Sequence, residues 1–164
     1  MKKVRKGIFE TNSSSTHAIC VAVEENINLP KSIHFGIGEY GWEVDTVYDT
    51  ADYLYTGLLA CRRGEDIEKI KQWLEEDGVK ATFEEPVYRV WKSNDGVEHK
   101  YLDRGYVDHA YELREFLDAV TNDKHHCYEF LFSKGSFVNT GNDNDDYGVD
   151  INVNYPYKEY YKGN

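Results

Sequence analysis

Two helical patterns lie side by side between residues 47 and 76, and runs with the alternation typical of β-strands flank them on both sides. Apolar residues recur every three or four positions over 47–59 and again over 65–76, with Gly64 and Gly78 as the expected helix stops. The candidate caps of the first helix are Asp45, Thr46 and Asp49. A helical hairpin set between strands covers one face of a sheet, which predicts an α+β fold.

Alternating or β-branched runs supply the strands of the predicted sheet. The expected strands are residues 7–9, 18–23, 32–42, 79–83, 87–91, 97–102, 128–132, 136–138 and 149–153. An Asp-Gly pair at 95–96 is a strong hairpin signal, and a third helix is expected at about 110–120 after the cap Asp108. We predict one domain, residues 1–154, with a mainly antiparallel sheet of about six to eight strands and about three helices packed on it. A Tyr-rich C-terminal tail, residues 155–164, follows and either docks on the domain or stays free.

The composition indicates a folded, acidic protein. The chain has 164 residues, of which 40% are hydrophobic and 15% aromatic, as is typical of a domain that buries a core. Its formal charge is −11, from 30 acidic and 19 basic side chains. Because binding along a phosphate backbone is driven by lysine and arginine, this balance predicts no direct contact with nucleic acid. It suits a basic protein partner or the imitation of a nucleic acid.

The cysteines and the hydropathy indicate the compartment. Cys20, Cys61 and Cys127 lie far apart in apolar surroundings without a C-x-x-C pair, so we expect buried thiols in a reducing cytoplasm. On a strand, His125 and Cys127 would share a face, but a second pair of zinc ligands is missing and no metal site is predicted there. No apolar run approaches the ~20 residues of a membrane span, which predicts a cytoplasmic protein without membrane contact.

Eight consecutive polar residues occupy positions 10–17, between two apolar segments. We expect them to form the loop between the first two strands of the sheet. Short Ser, Thr and Asn side chains bond their own backbone and leave N–H groups directed at a common centre, which suits phosphate or another anion. The alternative is a loop that only satisfies its own hydrogen bonds at the end of the sheet.

A second polar stretch, at 139–148, carries several carboxylates. Asp143, Asp145 and Gly148 match positions one, three and six of a calcium-binding loop, but Asn154 stands where a bidentate Glu belongs. No calcium site is therefore predicted, whereas a magnesium site completed by ligand phosphates stays open. The alternative is an acidic, solvated turn.

We expect the two polar stretches to meet, because terminal strands of a small mixed sheet are often neighbours. Their hydroxyls, amides, carboxylates and imidazole suit a ribose and a phosphate. The candidate ligand-binding residues are Glu10, Thr11, Asn12, Ser13, Ser14, Ser15, His17, Thr140, Asn142 and Asp143. Spacing alone does not establish a Ser-His-Asp site and the G-x-S-x-G turn is absent, so no catalytic residue or cofactor is assigned.

The opening also resembles a known family. Residues 5–17 (RKGIFETNSSSTH) resemble the start of small proteins encoded by phages and prophages of Gram-positive bacteria, which share an R-x-G-x-F-E-T-N-S-S-S-x-H opening. Residues 140–143 more loosely resemble a T-G-N-D segment near the end of those proteins. The resemblance implies a phage setting, with the host-cell cytoplasm as the location, and a site shared at the opening. It supplies no reaction.

Three functions follow from these observations. The first is a phage accessory protein, acting in counter-defence, that binds a nucleotide-like or other phosphorylated ligand through the two polar stretches. The second is an acidic protein inhibitor or DNA mimic that blocks a host defence protein or another nucleic-acid-handling protein. The third is an enzyme of phosphate or nucleotide chemistry that uses His17 with a metal at Asp143 or Asp145, although the chain contains no complete catalytic motif.

Two further groups have both a structural and a ligand-binding interpretation. Arg62 and Arg63 stand at the end of the first helix, where cations are favoured, and we expect a structural role in preference to anion binding. Tyr88, Trp91 and Tyr101 on the predicted hairpin are able to stack a base. Half-buried strands favour aromatic residues in any case, so we expect these three to pack in the core.

Overall fold

The computed structural model describes residues 15–41, 45–47, 49–107, 113–142 and 158–163. Ten strands and four helices lie within these ranges, and the predicted α+β class is confirmed. The strands are β1 Ser15–Ala22, β2 Ser32–Phe35, β3 Glu39–Tyr40, β4 Asp45–Val47, β5 Lys80–Phe83, β6 Tyr88–Lys92, β7 Glu98–Leu102, β8 Tyr106–Val107, β9 Phe137–Asn142 and β10 Lys158–Gly163. The helices are α1 Thr50–Ala60, α2 Gly64–Glu76, α3 Arg114–Asn122 and α4 Lys124–Phe132.

The strands are divided among four small sheets in place of one large one. The largest sheet in the described part of the chain is antiparallel, with the order β10-β1-β9-β4. In it, Ala18 of β1 lies opposite Lys162 on one side and Asn139 on the other. Two short pairs, β2 with β5 and β3 with β8, are parallel, and β6 with β7 forms an antiparallel hairpin.

Helix α1 is the centre of the core. Its side chains are buried on most of its circumference, and Tyr53, Leu54 and Leu58 are at most 1% exposed. A helix that is apolar on all sides has to be surrounded by protein, and α1 contacts the three other helices as well as β2, β7, β8 and β9. Phe116 of α3 and Phe130 of α4 complete this core with an edge-to-face contact at 4.8 Å between ring centroids.

The limits of the helical hairpin differ from those expected. Asp49 caps α1 by accepting a hydrogen bond from the Asp52 N–H (3.4 Å), as one of the three candidates. Gly64, expected to stop this helix, is the first residue of α2 instead. Gly78 does end α2, with φ at +72°. Helix α3 begins at Arg114, and its expected start lies outside the described ranges together with Asp108.

Residues 124–132 form helix α4, so the strand predicted for residues 128–132 is wrong. The Asp123 carboxylate accepts hydrogen bonds from the backbone N–H groups of His125 (2.9 Å) and His126 (3.2 Å), and this cap starts α4. The aromatic run had favoured a strand, although a short apolar run does not distinguish a strand from a buried helix.

The helix also changes the environment of the histidines and of the thiol. His126 Nδ1 lies 3.0 Å from Glu129, and His125 Nε2 lies 3.4 Å from the same carboxylate. Cys127 is fully buried, which raises its pKa to about 12. Cys20 is buried as expected, and Cys61 is half-buried. None of the three forms a disulfide.

Both polar stretches extend into strands. β1 begins at Ser15, so the loop predicted for residues 10–17 is wrong for its last three residues. β9 likewise contains residues 139–142 of the second stretch. Residues 158–163 of the Tyr-rich tail form β10 and dock on β1. The expected strands at 7–9 and 149–153 lie outside the described ranges.

Candidate functional site

The predicted ligand-binding residues fall partly within the described structure. β1 and β9 are antiparallel neighbours, and their register sets Ser15 opposite Asn142 and His17 opposite Thr140. Thr140 is 3% exposed, so its side chain belongs to the packed interior. The other candidates lie outside the described ranges, and the site that they would complete stays a prediction. These residues are Glu10, Thr11, Asn12, Ser13, Ser14 and Asp143.

A cleft of about 830 Å³ lies elsewhere in the molecule, between the end of α1 and the β6–β7–β8 region. Its volume is within the ~300–1,000 Å³ of typical small-molecule sites. Four cations line it, together with three tyrosines and one carboxylate. These residues are Arg62, Arg63, Lys100, Arg104, Tyr88, Tyr101, Tyr106 and Glu39. On an acidic chain, such a concentration of cations marks the cleft as a candidate anion-binding site.

Arg62 reaches the cleft from the turn that closes α1. Its N–H donates to the Leu59 carbonyl (3.1 Å), and the Arg63 N–H donates to the Leu58 carbonyl (2.8 Å), which is the Schellman arrangement of a helix end. This arrangement needs a left-handed residue, and φ of Arg62 is +58°. α2 ends with the same pair of bonds, but there glycine, Gly78, takes the left-handed position. Arg62 therefore occupies a position at which glycine is favoured.

Arg104 repeats this conformation on the opposite wall, in the turn between β7 and β8. Its φ is +55°, and Arg62 and Arg104 are the only non-glycine residues with positive φ in the described ranges. A Cβ on the next residue, Gly105, would collide with Ile37 and Leu102, so this turn lies tightly against the body of the protein. Left-handed non-glycine residues cost on the order of 1–2 kcal/mol each, and such strained residues cluster at functional sites.

Three cations of the cleft have no carboxylate partner among the described residues: Arg62, Lys100 and Arg104. The Lys100 ammonium lies 4.4 Å from the centroid of the Tyr88 ring, and the Arg62 Nη2 donates to the Lys100 carbonyl (3.3 Å). All three side chains are exposed. The cleft thus presents positive charge, ordered by an aromatic ring and a backbone carbonyl, on a chain whose net charge is −11.

Arg63, by contrast, is held by carboxylates. Its Nε lies 2.6 Å from Asp66, its Nη1 lies 2.7 Å from Asp118, and its Nη2 donates to the Thr121 hydroxyl (3.1 Å). Burial lowers the pKa of Arg63, but these carboxylates outweigh that effect and raise it above the ordinary value. The expected structural role is confirmed for Arg63, because it ties α2 to α3. Both arginines line the cleft, but Arg62 has no carboxylate partner among the described residues.

The expectation that the hairpin aromatics pack in the core is wrong. Tyr88, Trp91 and Tyr101 are 38%, 58% and 49% exposed. Of the nine large hydrophobic side chains that are exposed in the described part of the chain, seven lie between residues 87 and 106. Within the described structure β6 and β7 pair only with each other, and every residue of the two strands except Leu102 is exposed. The sequence signal for this exposure was the presence of aromatic residues at both even and odd positions, because these point to opposite faces of a strand.

Neither a metal centre nor a membrane-spanning helix is found among the described residues. They contain no group of three or more His, Cys, Asp or Glu side chains placed to hold a metal ion. None of their helices has both the length and the apolar character to cross a bilayer. Comparison of the chain with protein-family models, with curated proteins and with solved structures finds no match.

Proposed function

We propose that this protein binds a phosphorylated, nucleotide-like ligand in the cleft bounded by Arg62, Lys100 and Arg104. The observation that carries the proposal is the charge: these three cations lack carboxylate partners in the described structure, on a chain with an acidic excess of 11. Guanidinium groups match the geometry of phosphate oxygens with two parallel hydrogen bonds. The tyrosines of the cleft supply flat faces for a base and hydroxyls for a ribose.

The backbone conformation of the two arginines supports the same proposal. Each accepts the cost of a left-handed conformation, and each directs its side chain into the same cleft. Selection for stability alone favours glycine at such positions. A ligand that both guanidinium groups bind explains why arginine is present at both. With the phage setting implied by residues 5–17, we propose an accessory protein that sequesters a nucleotide of the host defence.

Isothermal titration calorimetry with inorganic phosphate, nucleoside monophosphates and triphosphates, and cyclic nucleotides tests the proposal. Arg104→Asn removes the charge while keeping a residue that tolerates the left-handed conformation. Losing a charged hydrogen bond to phosphate is expected to weaken binding roughly ten- to hundredfold. Lys31→Gln removes one exposed cation outside the cleft and is the matched control, expected to bind as the original protein does.

The same titration separates this cleft from the polar strand ends. Loss of binding in His17→Ala, with Arg104→Asn unaffected, would place the ligand at the ends of β1 and β9. The absence of binding by every phosphate compound at millimolar concentration would overturn the proposal altogether.

A further inference from the structure

An aromatic face of the β6–β7 hairpin adjoins the cleft. The register pairs Arg89 with Tyr101 and Trp91 with His99. Residues that are directly opposite on adjacent strands, or two apart along one strand, point to the same side of a sheet. These four side chains therefore share one face. Tyr101 also lines the cleft, so this face meets the cleft at Tyr101, whereas Tyr88 and Lys100 line the cleft from the opposite face of the hairpin.

Trp91 is prepared for stacking. Its ring lies against His99, with 5.3 Å between ring centroids and 33° between ring planes, and it remains 58% exposed. Tyr101, its diagonal neighbour across the hairpin, is 49% exposed. Diagonal neighbours in an antiparallel pair lie about 7–8 Å apart. The face thus offers two successive open aromatic rings, beginning at the cleft.

The hairpin region does not share the acidic excess of the chain. Residues 87–106 carry four basic and three acidic side chains, whereas the whole chain carries 19 basic and 30 acidic. The expectation of no contact with nucleic acid was drawn from the net charge of the whole chain. It does not apply to this region, where cations and aromatic rings alternate.

We propose that the ligand of the cleft is a single-stranded oligonucleotide, with a phosphate at the cations of the cleft and the adjoining base stacked on Trp91 beyond Tyr101. This inference rests on the proposed function and extends it from a nucleotide to a strand at least two nucleotides long. An extended single strand is able to follow rings about 7 Å apart. A duplex is not able to do so, because it rises about 3.4 Å per nucleotide along each strand and covers its bases.

Isothermal titration calorimetry with thymidine monophosphate and with the di-, tetra- and octanucleotides of thymidine tests the inference on the full chain. The dinucleotide is expected to bind roughly 5- to 150-fold more tightly than the monophosphate, which is the range measured for one base on one aromatic ring. Trp91→Ala is expected to remove that advantage and leave binding of the monophosphate unchanged. Val97→Ala, a change at an exposed residue in the turn of the same hairpin and outside the cleft, is the matched control.

The stacking itself has a spectroscopic signature. Oligonucleotide binding is expected to quench tryptophan fluorescence in the original protein and in Val97→Ala, and not in Trp91→Ala. Equal affinity for the monophosphate and the oligonucleotides would overturn this inference and leave the proposed function standing. If none of these compounds binds, both the inference and the proposed function are overturned. Equal affinity for a duplex would also overturn the inference. Equal losses of affinity in Trp91→Ala and Val97→Ala would overturn it in favour of a protein partner.

Discussion

Replacing Arg62 with glycine is expected to stabilise the protein while weakening ligand binding. A left-handed non-glycine residue costs about 1–2 kcal/mol, and Arg62→Gly recovers this free energy. The greater freedom of glycine in the unfolded chain offsets roughly 0.5–1 kcal/mol of that gain. The hydrogen bond from Arg62 to the Lys100 carbonyl is 3.3 Å long and exposed, so its loss costs at most about 0.5 kcal/mol. The middle of these ranges is a net gain of about 0.5 kcal/mol, or about 1–2 °C in Tm for a chain of 164 residues.

Differential scanning calorimetry and urea titration measure this change, and the chain provides a reciprocal control. Gly78 holds the same Schellman position at the end of α2, with φ at +72° and open space around its Cβ position. Gly78→Arg is therefore expected to cost about 1 kcal/mol, because the loss of glycine's freedom in the unfolded chain offsets part of the conformational cost. Phosphate binding is expected to weaken in Arg62→Gly and to persist in Gly78→Arg. A loss of more than about 0.5 kcal/mol in Arg62→Gly would refute the reasoning, because it would show that the arginine is present for the fold.

Two further predictions concern the supports of the cleft. Gly105→Ala is expected to destabilise the protein by about 1–3 kcal/mol in the same urea titration, since its Cβ would collide with Ile37 and Leu102. Gly64→Ala is the control, because its Cβ meets no atom within 4 Å, and this change is expected to be neutral or stabilising. Burial raises the pKa of Asp66, but its ion pairs with Arg63 and Lys69 outweigh burial and hold the pKa below the ordinary 3.8. Because the folded-state pKa is the lower one, this stabilisation is fully present at neutral pH and is lost as pH falls through that pKa. Asp66→Asn is therefore expected to reduce the free energy of unfolding at pH 7, and to reduce it progressively less as the pH falls below 3.8. A loss that stays constant over this range would contradict the assignment.

Local signals in the sequence were sufficient for several elements. The Asp-Gly pair located the β6–β7 hairpin, and the helical periodicity with Gly78 located α2, because hydrogen bonds between near neighbours decide both. The same reasoning failed at α4, where the cap from Asp123 outweighed the strand preference of the aromatic residues.

The cleft could not be predicted from local patterns. Its lining comes from chain segments between residues 39 and 107, and only the packing of α1 against β7 and β8 brings them together. The sequence predicts Arg62 as a cation at the end of a helix. Its left-handed conformation arises because α1 ends before Gly64, so that the left-handed position after the helix falls on Arg62. Arg104 carries no local signal, because a turn with a left-handed arginine is uncommon.

The position of β1 between β9 and β10 has a consequence for how the chain folds. Cys20 of β1 pairs with Phe137 on one side and with Tyr160 on the other, so the central strand of the largest described sheet waits for partners made more than a hundred residues later. During synthesis, a ribosome would release β1 long before either neighbour exists, leaving two strand edges without hydrogen-bond partners. Such long-range closure slows folding and exposes aggregation-prone edges. Helix α1 and the helices around it are therefore expected to assemble first, with the sheet closing on them once β10 has been synthesised.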